Sequence, residues 1–385
     1  MKRSDGRILT THVGRLPRPE ELTQAMEAHP RGQPTDAGFA AQLKRSVAEV
    51  VRQQAEAGVD IVCDGEFGKL SWNTYINGRL GGHETIPLKP GEGVRRSRDR
   101  AEFATFYAEL ERGGSAYYRS PGRDAPQGTR WACTGPLTYV GAEALRHDLE
   151  NLRAALDGVA VEEAFLPATS PIRPRANEHY PNDDAYYEAV AEAMRTEYRA
   201  IVDAGFILQI DDPHLPDLWD SDVAAMSVAE YRKRAGRAVE IVNHALRGIP
   251  EDRIRYHICW GSWHGSHAYD LPLKDVVDLL LQVRAQAYVI EAANARHEHE
   301  WMLWKDVKLP DGKLLVPGIV AHATNGIEHP ELVAWRIRNF ASVVGRENVI
   351  AGTDCGLGYR VHPQIAWAKL RTLAAGAKLA ASELW

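Results

Sequence analysis

A chain of 385 residues with 44% hydrophobic and 25% charged residues has an ordinary globular composition and enough length to bury a large core. Its formal charge of −6 offers no field for a polyanion, so nucleic acid is not an expected partner. No stretch approaches the roughly 18 apolar residues of a membrane span, no apolar segment follows Met1-Lys2-Arg3, and Cys63, Cys133, Cys259 and Cys355 are too scattered for a disulfide framework, which leads us to expect a cytoplasmic protein.

In chain order, amphipathic spacing predicts helices that each end at a glycine or polar turn, followed by a short β-branched run with an acidic or metal-binding residue at its end. Leu43–Ala57 reads as a helix and Val59–Cys63 as a strand closed by Asp64-Gly65-Glu66. Ala185–Ala204 leads into a strand over Phe206–Ile210 that ends at Asp211-Asp212-Pro213. Val228–Leu246 leads into Arg253–Cys259, Lys274–Gln286 into Ala287–Glu291, and Pro330–Val344 into Asn348–Ala351 before Asp354 and Cys355. A further strand over Leu314–Val320 ends near His322.

This alternation implies parallel strands joined by crossover helices. Polar candidates stand at the ends of at least six strands, which favours a (β/α)8 TIM-type barrel over a doubly wound sheet that binds at one switch point. We therefore expect an α/β fold with one catalytic domain over residues 1–385. The stretch 83–128, rich in Arg, Gly, Pro and Tyr, predicts a long insertion or lid over the barrel mouth, and Pro167–Pro181 reads as a second functional loop. Neither G-x-G-x-x-G after a strand nor a P-loop pattern is present.

His257, Cys259, Glu291 and Cys355 supply an imidazole, two thiolates and a carboxylate, the donors that Zn²⁺ prefers. They are too dispersed for a zinc finger and would meet only where several strands converge. A catalytic Zn²⁺ site is the expectation.

Six segments together resemble the cobalamin-independent methionine synthase family, specifically its C-terminal catalytic barrel and the short single-barrel branch that includes epoxyalkane:coenzyme M transferases. Thr10-Thr11-His12-Val13-Gly14-Arg15-Leu16-Pro17 resembles the family's thiol-substrate loop, Asp64-Gly65-Glu66 its H-G-E segment, and Thr134-Gly135-Pro136 a loop beside the methyl donor. Gln209-Ile210-Asp211-Asp212-Pro213 resembles Q-I-D-E-P, and Pro317-Gly318-Ile319-Val320 with His322 resembles G-P-G-V…H. The zinc set completes the six. The resemblance implies His257, Cys259, Glu291 and Cys355 as ligands, His322 as general acid, and Gly14, Arg15, Glu66 and Asp211 around the thiol. It leaves Asp212 structural. Trp260 and His264 follow the H-x-C closely enough to be expected at the substrate as well.

The chemistry so implied is alkyl, above all methyl, transfer to a thiol. Zinc would strip the thiol's proton, the thiol would displace Glu291 or a water, and the sulfur would attack carbon. The alkyl donor is a methyl-folate, a methyl-corrinoid or an epoxide. Homocysteine-binding members carry a small hydroxylic residue where this chain has Arg15, a departure that suits a more anionic, for example sulfonated, thiol such as coenzyme M. Two alternatives therefore stay open: epoxide opening by a sulfonated thiol, and a zinc-dependent barrel hydrolase or lyase that activates water. Two cysteine ligands favour sulfur chemistry over the latter. The oligomeric state is left open, a homo-oligomer included.

Overall fold

The computed structural model describes residues 1–27, 36–72, 74–90, 97–112, 128–172, 176–217, 219–220, 226–261 and 264–385. In chain order the elements are β1 (Leu9–Thr10), α1 (Glu20–Glu27), α2 (Ala37–Glu56), β2 (Ile61–Val62), β3 (Leu80–Pro87), α3 (Arg98–Glu102), α4 (Ala104–Glu111), β4 (Thr129–Tyr139), α5 (Ala142–Ala155), β5 (Glu163–Thr169) and β6 (Ala176–Asn177). They continue with α6 (Asp183–Asp203), β7 (Ile207–Asp211), α7 (His214–Asp217), α8 (Val228–Ala245), β8 (Ile254–His257), α9 (Val277–Leu280), β9 (Ala287–Ile290), β10 (Leu314–Val320), α10 (Pro330–Val344), β11 (Ile350–Thr353) and α11 (Pro363–Leu384).

Eight strands lie in the order β1-β11-β10-β9-β8-β7-β5-β2, every pair parallel. A parallel bridge between Thr11 and Ile61 joins the two ends of that order, so the sheet is the (β/α)8 barrel that the alternation predicts. Leu9, Ile61, Phe165, Ile207, Ala287, Val289, Leu314, Val316 and Ile350 fill its interior. The larger core lies between the strands and the surrounding helices. Local signals start those helices: Asp36 and Asn182 accept hydrogen bonds at the N-termini of α2 and α6, and Ser227 with Glu230 forms a capping box on α8.

Three expectations need correction. Residues 83–87 are not loop but belong to β3, which pairs antiparallel with β4 in a separate sheet completed by β6. The pairing is long-range, so no local periodicity announces it. Of the predicted insertion over 83–128, α3 and α4 are described, while 91–96 and 113–127 lie outside the described residues. Pro167–Thr169 is the end of β5 rather than the start of a loop, and residues 173–175 of that stretch lie outside the described residues.

The helix expected over Lys274–Gln286 is reduced to a 3₁₀ turn at Leu273–Asp275 and the single turn of α9. Leu273, Val276, Val277, Leu279, Leu280 and Val283 are all buried. Lys274, Asp278 and Gln282 remain exposed along one side, but adjacent β-branched Val276 and Val277 crowd a regular helix where the 3₁₀ turn gives way to α9. Among the described residues, no helix is long and apolar enough to cross a membrane.

Candidate metal centre

The polar residues gather where the barrel strands end. His257 is the last residue of β8, Cys259 follows two positions later, and Cys355 lies two positions past the end of β11. One ligand atom from each of these three lies within 4.8 Å of the others. Both cysteines are free thiols. The imidazole Nδ1–H of His257 donates to Asp211 Oδ1 at 2.9 Å, while its Nε2 is buried with no hydrogen-bond partner among the described residues. A carboxylate that fixes the far nitrogen of a histidine is the arrangement that orients a metal ligand.

Burial pushes the His257 imidazole down, but Asp211 and Cys355 outweigh it and raise it to about 10. Cys355 is held well below the ordinary thiol range, first by its bond from Cys259 and then, against burial, by His257. Cys355 is thus disposed to ionise beside the His257 imidazole. This soft, anionic donor set fits a borderline-soft divalent cation.

Glu291, expected as a fourth ligand, falls in a second group with His322 and Asp354, again within 4.8 Å of one another. Two donors hold it there: the backbone N–H of Trp260 at 2.9 Å to Oε1, and Asn294 Nδ2 at 2.6 Å to Oε2. Burial, then Asp354, raises its carboxyl to about 8, with Cys355 also contributing. Asp354 accepts from the backbone of Ala292 and Ala293 at 2.7 and 2.8 Å and from Asn294 at 3.1 Å, so it shapes the turn after β9. His322 is fully enclosed, and burial lowers it to about 3, leaving a neutral imidazole whose Nδ1 has no partner among the described residues.

On the other side of the mouth, Gly14 has φ 149° and comes so close to Glu66 that an added Cβ would sit 2.6 Å from Oε1. Glu66 itself adopts a left-handed φ of 60°, an unusual conformation for a side chain of that size. Burial raises its carboxyl to about 7 against the opposing charge of Arg15, with Asp211 adding to the rise. Arg15 does not point freely into the mouth. Its Nε bonds Glu66 Oε2 at 3.3 Å, and one terminal nitrogen donates to the carbonyls of Lys69 and Leu70 at 3.0 and 2.9 Å.

Asp211 accepts from Gln209 Nε2 at 2.7 Å as well as from His257. Asp212 accepts from Ser170, Tyr256 and the backbone of Leu215, a structural role as expected. Trp260 is buried, its indole N–H bound to the Leu271 carbonyl. His264 is partly buried and lowered first by burial and then by Arg360, while its neighbours 262–263 lie outside the described residues. The sequence reading missed Asn294 and His297. Their nearness to Glu291 in the chain was the available signal.

Comparison with known proteins follows the same lines. Residues 168–379 match the family described as cobalamin-independent synthase, catalytic domain. A methionine synthase of Saccharolobus islandicus (strain Y.G.57.14 / Yellowstone #1) is 24% identical over 379 residues, covering 97% of this chain and 95% of that protein. One from Thermococcus kodakarensis is 22% identical, covering 97% and 94%. Among solved structures, a B12-independent methionine synthase from Shewanella sp. W3-18-1 in complex with selenomethionine superposes with a TM-score of 0.72 at 20% identity, over 98% of this chain and 99% of that one. A putative vitamin-B12 independent methionine synthase from Listeria monocytogenes gives 0.65 at 18%, with the same coverage. These structural likenesses establish the barrel fold.

Proposed function

With more than half its length, residues 168–379, matching it, this chain belongs to the cobalamin-independent synthase catalytic-domain family, and from that premise we propose that it transfers a methyl group to a thiol at a Zn²⁺ centre held by His257, Cys259 and Cys355. The observation that carries the reading is the convergence of these three donors within 4.8 Å, with the histidine tethered by Asp211. Bound zinc would supply the charge that removes a thiol's proton and fixes the direction of its sulfur.

The chain's own residues do the rest. Asp211 sets the imidazole orientation. Glu291, outside the trio but beside Cys355, is the displaceable carboxylate that yields to the incoming thiol. His322, enclosed beside Glu291 and Asp354, is the residue that the resemblance assigns to the donor's leaving group, and it would have to take up a proton on donor binding before it could hand one over. Gly14 leaves the space through which Glu66 faces the mouth, where a substrate ammonium group would meet a carboxylate.

Homocysteine is the thiol that this arrangement suits, and curated relatives are named methionine synthases. The anionic-thiol alternative loses its main support, since the bonds of Arg15 run to Glu66 and two backbone carbonyls. We also propose that α3, within the described part of the insertion, covers the mouth. Asp99 of α3 accepts from Ser266 at 2.7 Å and from the backbone of Ala268 at 3.0 Å, joining it to the loop that follows Cys259.

The test is X-ray absorption of the zinc-loaded protein before and after homocysteine is added, with methyl transfer from a methyl-folate assayed in parallel. One additional sulfur neighbour at zinc is the expected result. An unchanged zinc shell with every candidate thiol would overturn the proposal.

A further inference from the structure

His322 opens the loop that follows β10. Ala321 and His322 are buried, whereas residues 323–327 are exposed. The peptide unit between Val320 and Ala321 is held at both ends. Its carbonyl accepts from the backbone N–H of Asp354 at 3.1 Å, and its N–H donates to Glu328 Oε1 at 2.7 Å. Because a peptide unit is planar and stiff, two opposed bonds fix its orientation, and with it the direction in which the chain departs toward His322.

Glu328 is fixed in turn by the C-terminal helix. Its other oxygen, Oε2, accepts from Lys369 Nζ at 2.8 Å, and its backbone carbonyl accepts from Thr372 Oγ1 at 2.9 Å. Lys369 and Thr372 stand at i and i+3 on α11, hence on one face of that helix. Lys369 Nζ also donates to the Gly326 carbonyl, which ties down the exposed part of the loop. The Lys369 side chain is 0% exposed and that of Glu328 only 7%. Desolvation offsets much of the attraction in an ion pair this enclosed, so the pair is weak evidence of added stability. What it provides is an acceptor in a fixed place for the Ala321 amide.

We propose that Glu328, held by Lys369, is a positioning residue for His322: by fixing the peptide between Val320 and Ala321, it sets where the imidazole stands beside Glu291 and Asp354. Those three side chains bring ligand-type atoms within 4.8 Å of one another. Asp354 makes the opposing bond to the same peptide, so this one unit registers the histidine against the loop that carries Cys355. Neither bond involves His257 or the two cysteines, so loosening the loop affects transfer rather than thiol binding. The inference rests on the thiol-transfer reading, in which His322 serves the methyl donor, and adds two residues that act on that histidine through a peptide.

The experiment compares two double variants of the zinc-loaded full chain. Glu328→Leu with Lys369→Met removes both charges and the acceptor for the Ala321 N–H, whereas Glu328→Gln with Lys369→Met removes both charges but keeps a carbonyl oxygen for it. Replacing the pair together leaves no buried charge without its partner. For the first variant the expected result is unchanged zinc content, a thiol KM within about twofold, and a kcat for methyl transfer from a methyl-folate lowered about tenfold or more. The second is expected to recover kcat to within about threefold of wild type. In protein carrying isotope-labelled histidine, the His322 ring resonances, identified by their loss in His322→Gln, are expected to shift in the first variant and return in the second. Should Glu328→Leu prevent folding, Glu328→Ala with Lys369→Met removes the acceptor without added bulk and is read in the same way. A folded first variant with unshifted His322 resonances and a kcat within about twofold of wild type overturns the proposal, as does a second variant impaired to the same extent as the first. If the unmodified protein transfers methyl to no thiol, the thiol-transfer reading falls instead, and the His322 resonances alone decide whether Glu328 positions the ring.

Discussion

Asp211 Oδ1 accepts the Nδ1–H of His257 at 2.9 Å, across 46 residues of sequence, and this bond decides which imidazole nitrogen is left for a metal. The same carboxylate is the one that sequence resemblance assigns to a substrate. The two roles give different results in Asp211→Asn. An orienting role lowers metal affinity about 10–100-fold, as loss of a ligand's carboxylate partner usually does, measured by competition with a chromophoric chelator. Unchanged metal affinity, with the loss confined to amino-thiol binding, would return Asp211 to the substrate.

The soft ligands themselves give a second test. The purified protein is expected to hold close to one zinc per chain, and Cys259→Ser or Cys355→Ser to lose most of it with circular dichroism unchanged, because the site sits at strand ends, where Cys355 only borders the barrel's packed interior. Full activity after exhaustive chelation would refute the metal role.

The barrel was legible because its signals are local and repeated. Leu314–Val320 and Pro330–Val344 carry their periodicity so plainly that the predicted and observed bounds coincide. His257, Cys259 and Cys355 stood out because their donor types are rare and each stands at or just past a strand end. What stayed hidden is non-local. The β3–β4 hairpin pairs Leu80 with Tyr139 across the whole insertion, and β4 contains Gly135 and Pro136, which argue against a strand. The Lys274–Gln286 helix is broken at Val276 and Val277, where two adjacent β-branched residues crowd a regular turn. Glu291 was rightly placed at a strand end, but its bond from the Trp260 amide is a backbone contact that no side-chain pattern announces.

Glu66 should leave a pH signature. Burial raises its carboxyl from 4.5 to about 7, so the folded protein binds a proton more tightly than the unfolded chain. A raised folded value contributes stability that is present below about pH 4.5 and lost as pH rises through about 7. Glu66→Gln stays neutral throughout. Relative to wild type, its urea-unfolding free energy is expected to gain about 2–3 kcal/mol between pH 4.5 and pH 8, the scale of a shift of this size. Titrating groups distant from Glu66 are common to both proteins and cancel. A difference that does not change with pH would mean that Glu66 titrates alike in both states.

Arg15 poses the sharpest contrast between a substrate contact and an internal partner. Its side chain is 13% exposed and that of Glu66 only 4%, and they meet at 3.3 Å. Leu357 and Gly358 donate backbone N–H groups to the Arg15 carbonyl, and Gly356 packs so closely that an added Cβ would lie 2.8 Å from Arg15 Cβ. The guanidinium also lies 5.3 Å from the Tyr359 ring centroid. A residue this enclosed serves mainly as the counter-charge of Glu66. Arg15→Ser leaves that carboxylate buried without its partner and is expected to cost about 2–4 kcal/mol of stability at pH 8. In a Glu66→Gln background the same substitution should cost at least about 1 kcal/mol less, the coupling of a contacting pair in a double-mutant cycle. The thiol KM provides the opposing readout. If Arg15→Ser instead raises KM for a sulfonated thiol about tenfold, equivalent to ~1.4 kcal/mol, with stability coupling near zero, the guanidinium grips the substrate and the anionic-thiol alternative returns.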